Sequence, residues 1–288
     1  METIKNEKLS VEVTEHGAEM QSIKDAKGEE YLWWGDAKYW TGRSPVLFPI
    51  VGRVFGDQYR YHGHTYQMKQ HGLARGLDFK LIAKGEQQLT FALHDTEETL
   101  RQYPFHFNLG ITYKLQDNKI HVIWHVENTD KKYLYFQIGG PPAFLVPGWK
   151  EGRPLKARLR FDNGDPKTLK LGPNHVLQPG HYDIQHEANV MPIDEHTFDV
   201  DTYIFDNSQI RRIELLDLTG EPHVTVETKA PLLGIWSPPG QNAPFVCIEP
   251  WYGVADWEEY DGPFEERHAM NRLMPGASFM SEYVITIG

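Results

Sequence analysis

The segment ITYKLQDNKIHVIWHVEN, residues 111–128, constrains this chain more than any other. Ile111, Tyr113 and Leu115 alternate with polar residues, Gln116 to Lys119 make a polar interruption, and Ile120, Val122, Trp124 and Val126 alternate again. Apolar residues at a period of two give a strand one face for a core and one for solvent. Two such runs across a polar turn predict an antiparallel hairpin. The pattern recurs in LSVEVTEHG and QSIKDAKGEEYLWWG, with Lys27-Gly28 as a turn, in RRIELLDL and HVTVETK on either side of Gly220, and in the closing FMSEYVITIG. The 14 Phe, 14 Tyr, 8 Trp, 25 Gly and 19 Pro agree with strands separated by turns. Helical periodicity is confined to Thr96 to Gln102, where Thr96 caps and Pro104 stops the run, and to Glu265 to Met270. Gly148 to Gly180 carries few apolar residues and predicts long excursions, where β scaffolds commonly build binding sites. No internal repeat or linker divides the chain. The expectation is all-β: one large antiparallel β-sandwich, residues 1–288 as a single domain.

A chain of 288 residues buries roughly three quarters of the surface its unfolded form exposes, so its core needs no staples. The lone cysteine, Cys247, rules out an intramolecular disulfide and a zinc site built on paired cysteines. METIKNEKLS has no apolar segment of signal-peptide type, and no run approaches a membrane span. A reducing, cytoplasmic setting follows as an expectation. With 29 basic against 40 acidic residues the net charge is −11. That field repels nucleic acid and anionic membrane, which leaves a small molecule or a protein as partner.

Several residues are equipped for chemistry. In APFVCIEPWYG, Phe245 to Ile248 read as a buried strand and Glu249 follows directly. A carboxylate joined to such an apolar run loses hydration, and its pKa rises toward the range of a general acid or base. Pro250 holds Glu249 in extended backbone, and Trp251 and Tyr252 offer flat apolar faces suited to a sugar ring. A structural ion pair with arginine is the competing explanation for Glu249. Cys247, inside the apolar run, reads as a core residue and not a nucleophile. FPIVGR reads as an apolar strand ending in Gly52-Arg53, and KQHGLARG brings His71 and Arg75 close together. Arginine supplies a planar donor fork and histidine a proton near neutral pH. Asp201, before the apolar YIF, can accept hydrogen bonds from hydroxyls or serve as a turn residue. His62 and His64, placed on one face of a strand, are a weak metal candidate. The spacing Gly56-x5-His62-x-His64 opens the cupin metal motif, but Met68 and Lys69 stand where that motif needs glutamate. No metal and no cofactor is implied.

Read in order, FPIVGR, QHGLAR, YPFHF, IGGPPAF, DVDTYIF, GIWSPPG and APFVCIEPWYG resemble the aldose 1-epimerase (galactose mutarotase) family, and more closely its shorter, divergent branch. The resemblance covers nearly the whole chain. It implies a supersandwich with a sugar cleft on one sheet and cofactor-free interconversion of the α and β anomers of an aldose. By resemblance Glu249 is the base, Arg53 and His71 match the sugar-binding arginine and first active-site histidine, and Asp201 matches the hydroxyl-binding aspartate. Arg75 and Trp251 join them as substrate-binding candidates. HGLAR also resembles the hexose-6-phosphate mutarotases, in which Arg53 and Arg75 would clamp a phosphate. One departure stands out. The divergent branch reads Ile-Gly-Gly-His-Pro-Ala-Phe, and its histidine is the usual general acid; Pro141 occupies that place here and has no proton to give. Either His71 is the acid, or another group or water replaces it, or the protein binds and senses a sugar without efficient turnover.

Overall fold

Sequence alternation becomes alternation of burial along Phe107–Gln116 and Lys119–Asn128. Their register sets Leu109 against Val126, Ile111 against Trp124, Tyr113 against Val122 and Leu115 against Ile120. Asp117 and Asn118 turn the chain, Asp117 in the left-handed region at φ 52°, where aspartate is tolerated better than most residues. The computed structural model describes residues 1–182 and 184–288.

Among the described residues this hairpin lies in a nine-stranded antiparallel sheet. Its order is Val190–Asp194, Lys156–Phe161, Arg212–Leu216, Pro222–Thr228, Ser278–Ile287, Lys119–Asn128, Phe107–Gln116, Gln88–His94 and Lys80–Lys84. A second sheet runs Ile138–Gly139, Phe245–Tyr252, Leu232–Trp236, Tyr203–Phe205, Thr168–Leu171 and Leu177–Gln178, with Ala143–Leu145 also paired to Phe245–Tyr252. Glu2–Lys5, Leu9–Val13 and Met20–Asp25 form a three-stranded sheet. The main core draws on both large sheets: Leu109, Ile111, Trp124 and Val226 from one, Phe205, Ile235, Val246 and Ile248 from the other. This is the antiparallel β-sandwich that the strand pattern predicts.

The period of two also explains how the second sheet presents a site. Along Phe245–Tyr252, Val246 and Ile248 enter the main core, whereas Phe245 and Cys247 join a separate cluster with Trp33 and Ala143. Glu249 and Trp251 continue that second face. In Leu232–Trp236, Leu233 and Ile235 likewise face the core, and Gly234 and Trp236 alternate to the other side. The outer face of this sheet is therefore covered too, and both faces of its central strands are buried.

Helix Glu97–Gln102 forms as expected. Thr96 Oγ1 accepts from the Thr99 N–H at 3.2 Å, and the Thr96 N–H donates to Thr99 Oγ1 at 2.8 Å, a reciprocal cap. Other expectations change. Glu265 to Met270 is not a helix; a 3-10 turn spans Phe264–Glu266 and Arg267 then leaves in extended backbone. The cause is the Arg267 guanidinium, buried in an ion pair with Asp256 and reaching the Val254 carbonyl at 3.3 Å. The Gly148 to Gly180 stretch is not a pure excursion: it contributes Lys156–Phe161, Thr168–Leu171 and Leu177–Gln178, because Leu159 with Phe161 and Leu169 with Leu171 are two apart and bury. FPIVGR forms no strand: Phe48 makes an isolated bridge to Gly72, and Leu47 just before it one to Gly139; Pro49, like Pro45 upstream, lacks a ladder donor. His62 and His64 share no strand face. His62 and Gly63, both at positive φ, are the turn between Gln58–Tyr61 and His64–Gln67, as two-residue hairpin loops require. Among the described residues no group of three or more His, Cys, Asp or Glu is arranged to hold a metal ion, and no helix is long and apolar enough to cross a membrane.

Candidate active site

The outer face of the second sheet carries a cleft of about 360 Å³, at the small end of the range for small-molecule sites. Glu249 and Trp251 line it from Phe245–Tyr252 and Trp236 from Leu232–Trp236. Gly234, directly opposite Glu249 in the ladder, has no side chain to intrude.

Glu249 is 5% exposed, and among the described residues its carboxylate accepts no hydrogen bond. Burial raises its pKa from an ordinary 4.5 to about 8, with a further upward push from the Asp201 charge. The Trp251 indole N–H is the neighbour that favours the ionised form. That N–H nevertheless stands outside hydrogen-bonding geometry and is buried without an acceptor. An unused donor beside an unused carboxylate is what a site awaiting a hydroxyl-bearing ligand presents. Cys247 lies on the same strand face, buried, with its thiol pKa pushed up by that burial. It packs beneath the site as a core residue.

His71 reaches the cleft from a loop clamped to the neighbouring segment. Its N–H donates to the Gly52 carbonyl at 2.8 Å, and the Leu73 and Ala74 N–H groups donate to the Phe48 carbonyl. Gly72 permits the approach: a Cβ there would fall 2.3 Å from the Phe48 oxygen. The Gly52 N–H donates to His71 Nδ1 at 3.1 Å, so the ring proton belongs on Nε2. Burial, then the charges of Arg75 and His175, depress its pKa to about 3. His71 is thus a neutral ring at ordinary pH, able to donate a hydrogen bond from Nε2.

Asp201 follows the 3-10 turn Thr197–Val200 at φ 72°, ψ −141°, a region costly for any residue with a side chain. That backbone aims its carboxylate at His175, whose Nδ1 lies 2.5 Å from Asp201 Oδ2. Asp201, His175 and Arg75 all line the cleft. The Arg75 guanidinium donates to the Gln70 carbonyl at 3.2 Å, and among the described residues no carboxylate pairs with it.

Five of the six site residues expected from sequence therefore surround one cleft: Glu249, His71, Asp201, Arg75 and Trp251. Arg53 does not line it. Its guanidinium grips Asp57 through two contacts of 2.6 Å and reaches the Asn174 carbonyl at 3.5 Å, so it braces the loop that carries His175. Pro141 lines the cleft, with a ring where a protonatable side chain is expected. Sequence reasoning missed His175, Trp40 and Trp236. Trp236 lies in GIWSPPG, whose aromatic was the available signal. His175 stands in a Pro/Gly-rich stretch, 26 residues from its partner, and nothing local marks it.

The aldose 1-epimerase family profile matches residues 2–258. Protein LacX (chromosomal) of Lactococcus lactis subsp. lactis is 29% identical over 298 aligned positions, covering 99% of this chain and 98% of that protein. Among solved structures, a galactose mutarotase-like protein from Lactobacillus casei superposes with a TM-score of 0.94 at 33% identity over the full length of both chains. A galactose mutarotase related enzyme from Lactobacillus acidophilus gives 0.93 at 33% identity, covering 100% of this chain and 97% of that one. By profile, length and fold together, the chain belongs to the aldose 1-epimerase family.

Proposed function

We propose that this protein interconverts the α and β anomers of an aldose by acid/base opening and reclosure of the sugar ring. The observation that carries this reading is Glu249, a buried carboxylate with no hydrogen-bond partner among the described residues, its pKa raised to about 8 inside a sugar-sized cleft. Ionised Glu249 takes the proton of the C1 hydroxyl, C1–O5 breaks as the carbonyl forms at C1, and an acid protonates O5. Rotation about C1–C2 and reversal of both transfers give the other anomer. Trp40, Trp236 and Trp251 on the cleft wall supply flat apolar faces for the ring. His71 offers its Nε2–H to a hydroxyl.

A second reading, a sugar phosphate, is favoured by Arg75, which lines the cleft with no carboxylate bound to it among the described residues and retains donors for an anion. The net charge of −11 opposes it. NMR exchange spectroscopy on glucose, galactose and their 6-phosphates separates the two. The expected result is faster anomer exchange with the wild-type protein that disappears in Glu249→Gln. Exchange surviving in that variant removes Glu249 from the mechanism. Binding without acceleration for every sugar replaces the enzyme with a sugar sensor.

A further inference from the structure

Ring opening needs a proton donor as well as a base, and the cleft limits the choice. His71 is a poor one: its Nδ1 is occupied by the Gly52 N–H, its pKa has fallen to about 3, and a neutral imidazole surrenders its remaining proton only with great difficulty. Arg75 does not deprotonate usefully in catalysis. Pro141 has no proton at all. Among the described residues, the remaining ionisable side chains lining the cleft, apart from Glu249, are His175 and Asp201, and these form a pair through Nδ1 and Oδ2 at 2.5 Å.

We propose that His175, oriented by Asp201, is the general acid/base that acts on the ring oxygen, opposite Glu249. The proposal rests on the mutarotase reading above and names the proton donor for it. The carboxylate of Asp201 accepts from Nδ1 and so fixes it as a protonated nitrogen and sets the orientation of the ring, as carboxylate–imidazole pairs do in other acid/base sites. It leaves Nε2 available; among the described residues that nitrogen makes no hydrogen bond. In the forward step Glu249 removes the O1 proton, the C1–O5 electron pair moves to O5, and O5 takes the proton from Nε2 of the imidazolium. Glu249 ends protonated and His175 neutral. After rotation about C1–C2, Nε2 recovers the O5 proton as O5 attacks C1, and Glu249 returns its proton to O1. Protons and electron pairs balance over the cycle, and no co-reactant is needed. The ring sits on an arched loop: His175 has φ 56°, its N–H donates to the Gly172 carbonyl, and the Gly172 N–H donates to the Val176 carbonyl. Arg53 reaches the adjoining Asn174 carbonyl. The Asp201 carboxylate holds the ring, and these three contacts hold the loop that carries it.

The test compares wild type, His175→Gln, His175→Gly and Glu249→Gln by NMR anomer exchange, using the aldose that wild type turns over fastest. The His175 side chain is 47% exposed, so neither substitution removes core packing. The expected result is a fall in kcat of about 10²–10⁴-fold in His175→Gln with KM changed little, and partial recovery of His175→Gly by added imidazole. Installing Pro141→His in the His175→Gln background is expected to restore rate by refilling the alternative donor position. A His175→Gln rate within about threefold of wild type overturns the proposal. So does a loss expressed wholly in KM, or a loss in His175→Gly that imidazole leaves unchanged, either of which makes the residue a positioning one. If wild type fails to accelerate exchange, or Glu249→Gln remains active, the mutarotase reading itself fails, which is a different result from failure at His175 alone.

Discussion

Gly234 and Trp251 share one space: a Cβ built on Gly234 falls 2.9 Å from Cζ2 of the Trp251 indole. Trp251 is 4% exposed and has little room to retreat. Gly234→Ala therefore forces the indole toward the cleft. Overpacking of this kind costs about 1–3 kcal/mol, and the displaced ring narrows the sugar site. The expected outcome is weaker sugar binding by about tenfold or more with the overall fold retained, read by titration calorimetry and circular dichroism. Unchanged affinity shows that the indole face does not meet the sugar.

Glu249 ties activity to pH in a definite direction. Its base form accumulates as pH rises through about 8, so the kcat/KM profile, which reports the free enzyme, should be bell-shaped, with one limb set near pH 8 by Glu249 and the other by the proton donor. A profile with no limb near pH 8 removes Glu249 as the titrating base.

The same raised pKa is a stability statement of opposite sense. The native state holds the Glu249 proton up to about pH 8 while the unfolded chain releases it near 4.5. The native state binds more protons in that window, so its stability falls as pH rises from about 4.5 to about 8. Glu249→Gln lacks this loss. It is expected to match wild type near pH 4 and to exceed it by a few kcal/mol at pH 8, measured by urea denaturation at both values. An equal difference at the two pH values contradicts the buried, protonated carboxylate.

Asp256 and Arg267 form a nearly sealed ion pair, with side chains 3% and 1% exposed. Asp256→Ala leaves the guanidinium buried without its charge partner, at a cost of about 3–5 kcal/mol. Replacing both, as Asp256→Leu with Arg267→Met, should recover most of that stability. Thermal or urea melts of the single and double variants decide it.

Arg53 offers a contrast. Its pair with Asp57 is about a third exposed, and such pairs contribute at most about 1 kcal/mol. Arg53→Ala should leave the melting temperature nearly unchanged. It should lower kcat by about tenfold, because Asn174 loses its brace beside His175. A loss of sugar affinity with unchanged kcat would assign Arg53 to the substrate instead.

The fold was legible wherever one residue in two faces water. Ile111 to Val126 announce a hairpin because Lys114, Gln116 and His121 interrupt the apolar set. The pattern fails where both faces are covered: Phe245 to Ile248 reads as an unbroken apolar run, and only contacts assign Cys247 to one cluster and Val246 to another. It fails again for Lys156–Phe161 and Thr168–Leu171, whose pairs Leu159/Phe161 and Leu169/Leu171 are lost among Gly, Pro and Lys. In the site, Glu249 and His71 carry local signals, an apolar strand and a histidine–glycine turn. His175 acquires its meaning from Asp201 across the fold, and Arg53 finds its partners at Asp57 and Asn174. Partnerships of that kind leave no trace in spacing.

The strand Phe245–Tyr252 is buried on both faces, with Glu249 on one and Ile248 on the other. Side chains on a strand change faces with every residue, so a slip of a single position against Leu232–Trp236 would exchange them. The carboxylate would then enter the oily interior, and isoleucine would stand where the base should be. Turnover by this protein is accordingly a readout of strand alignment: a preparation that has misaligned by one residue can retain full β-sheet content by circular dichroism and have no working site.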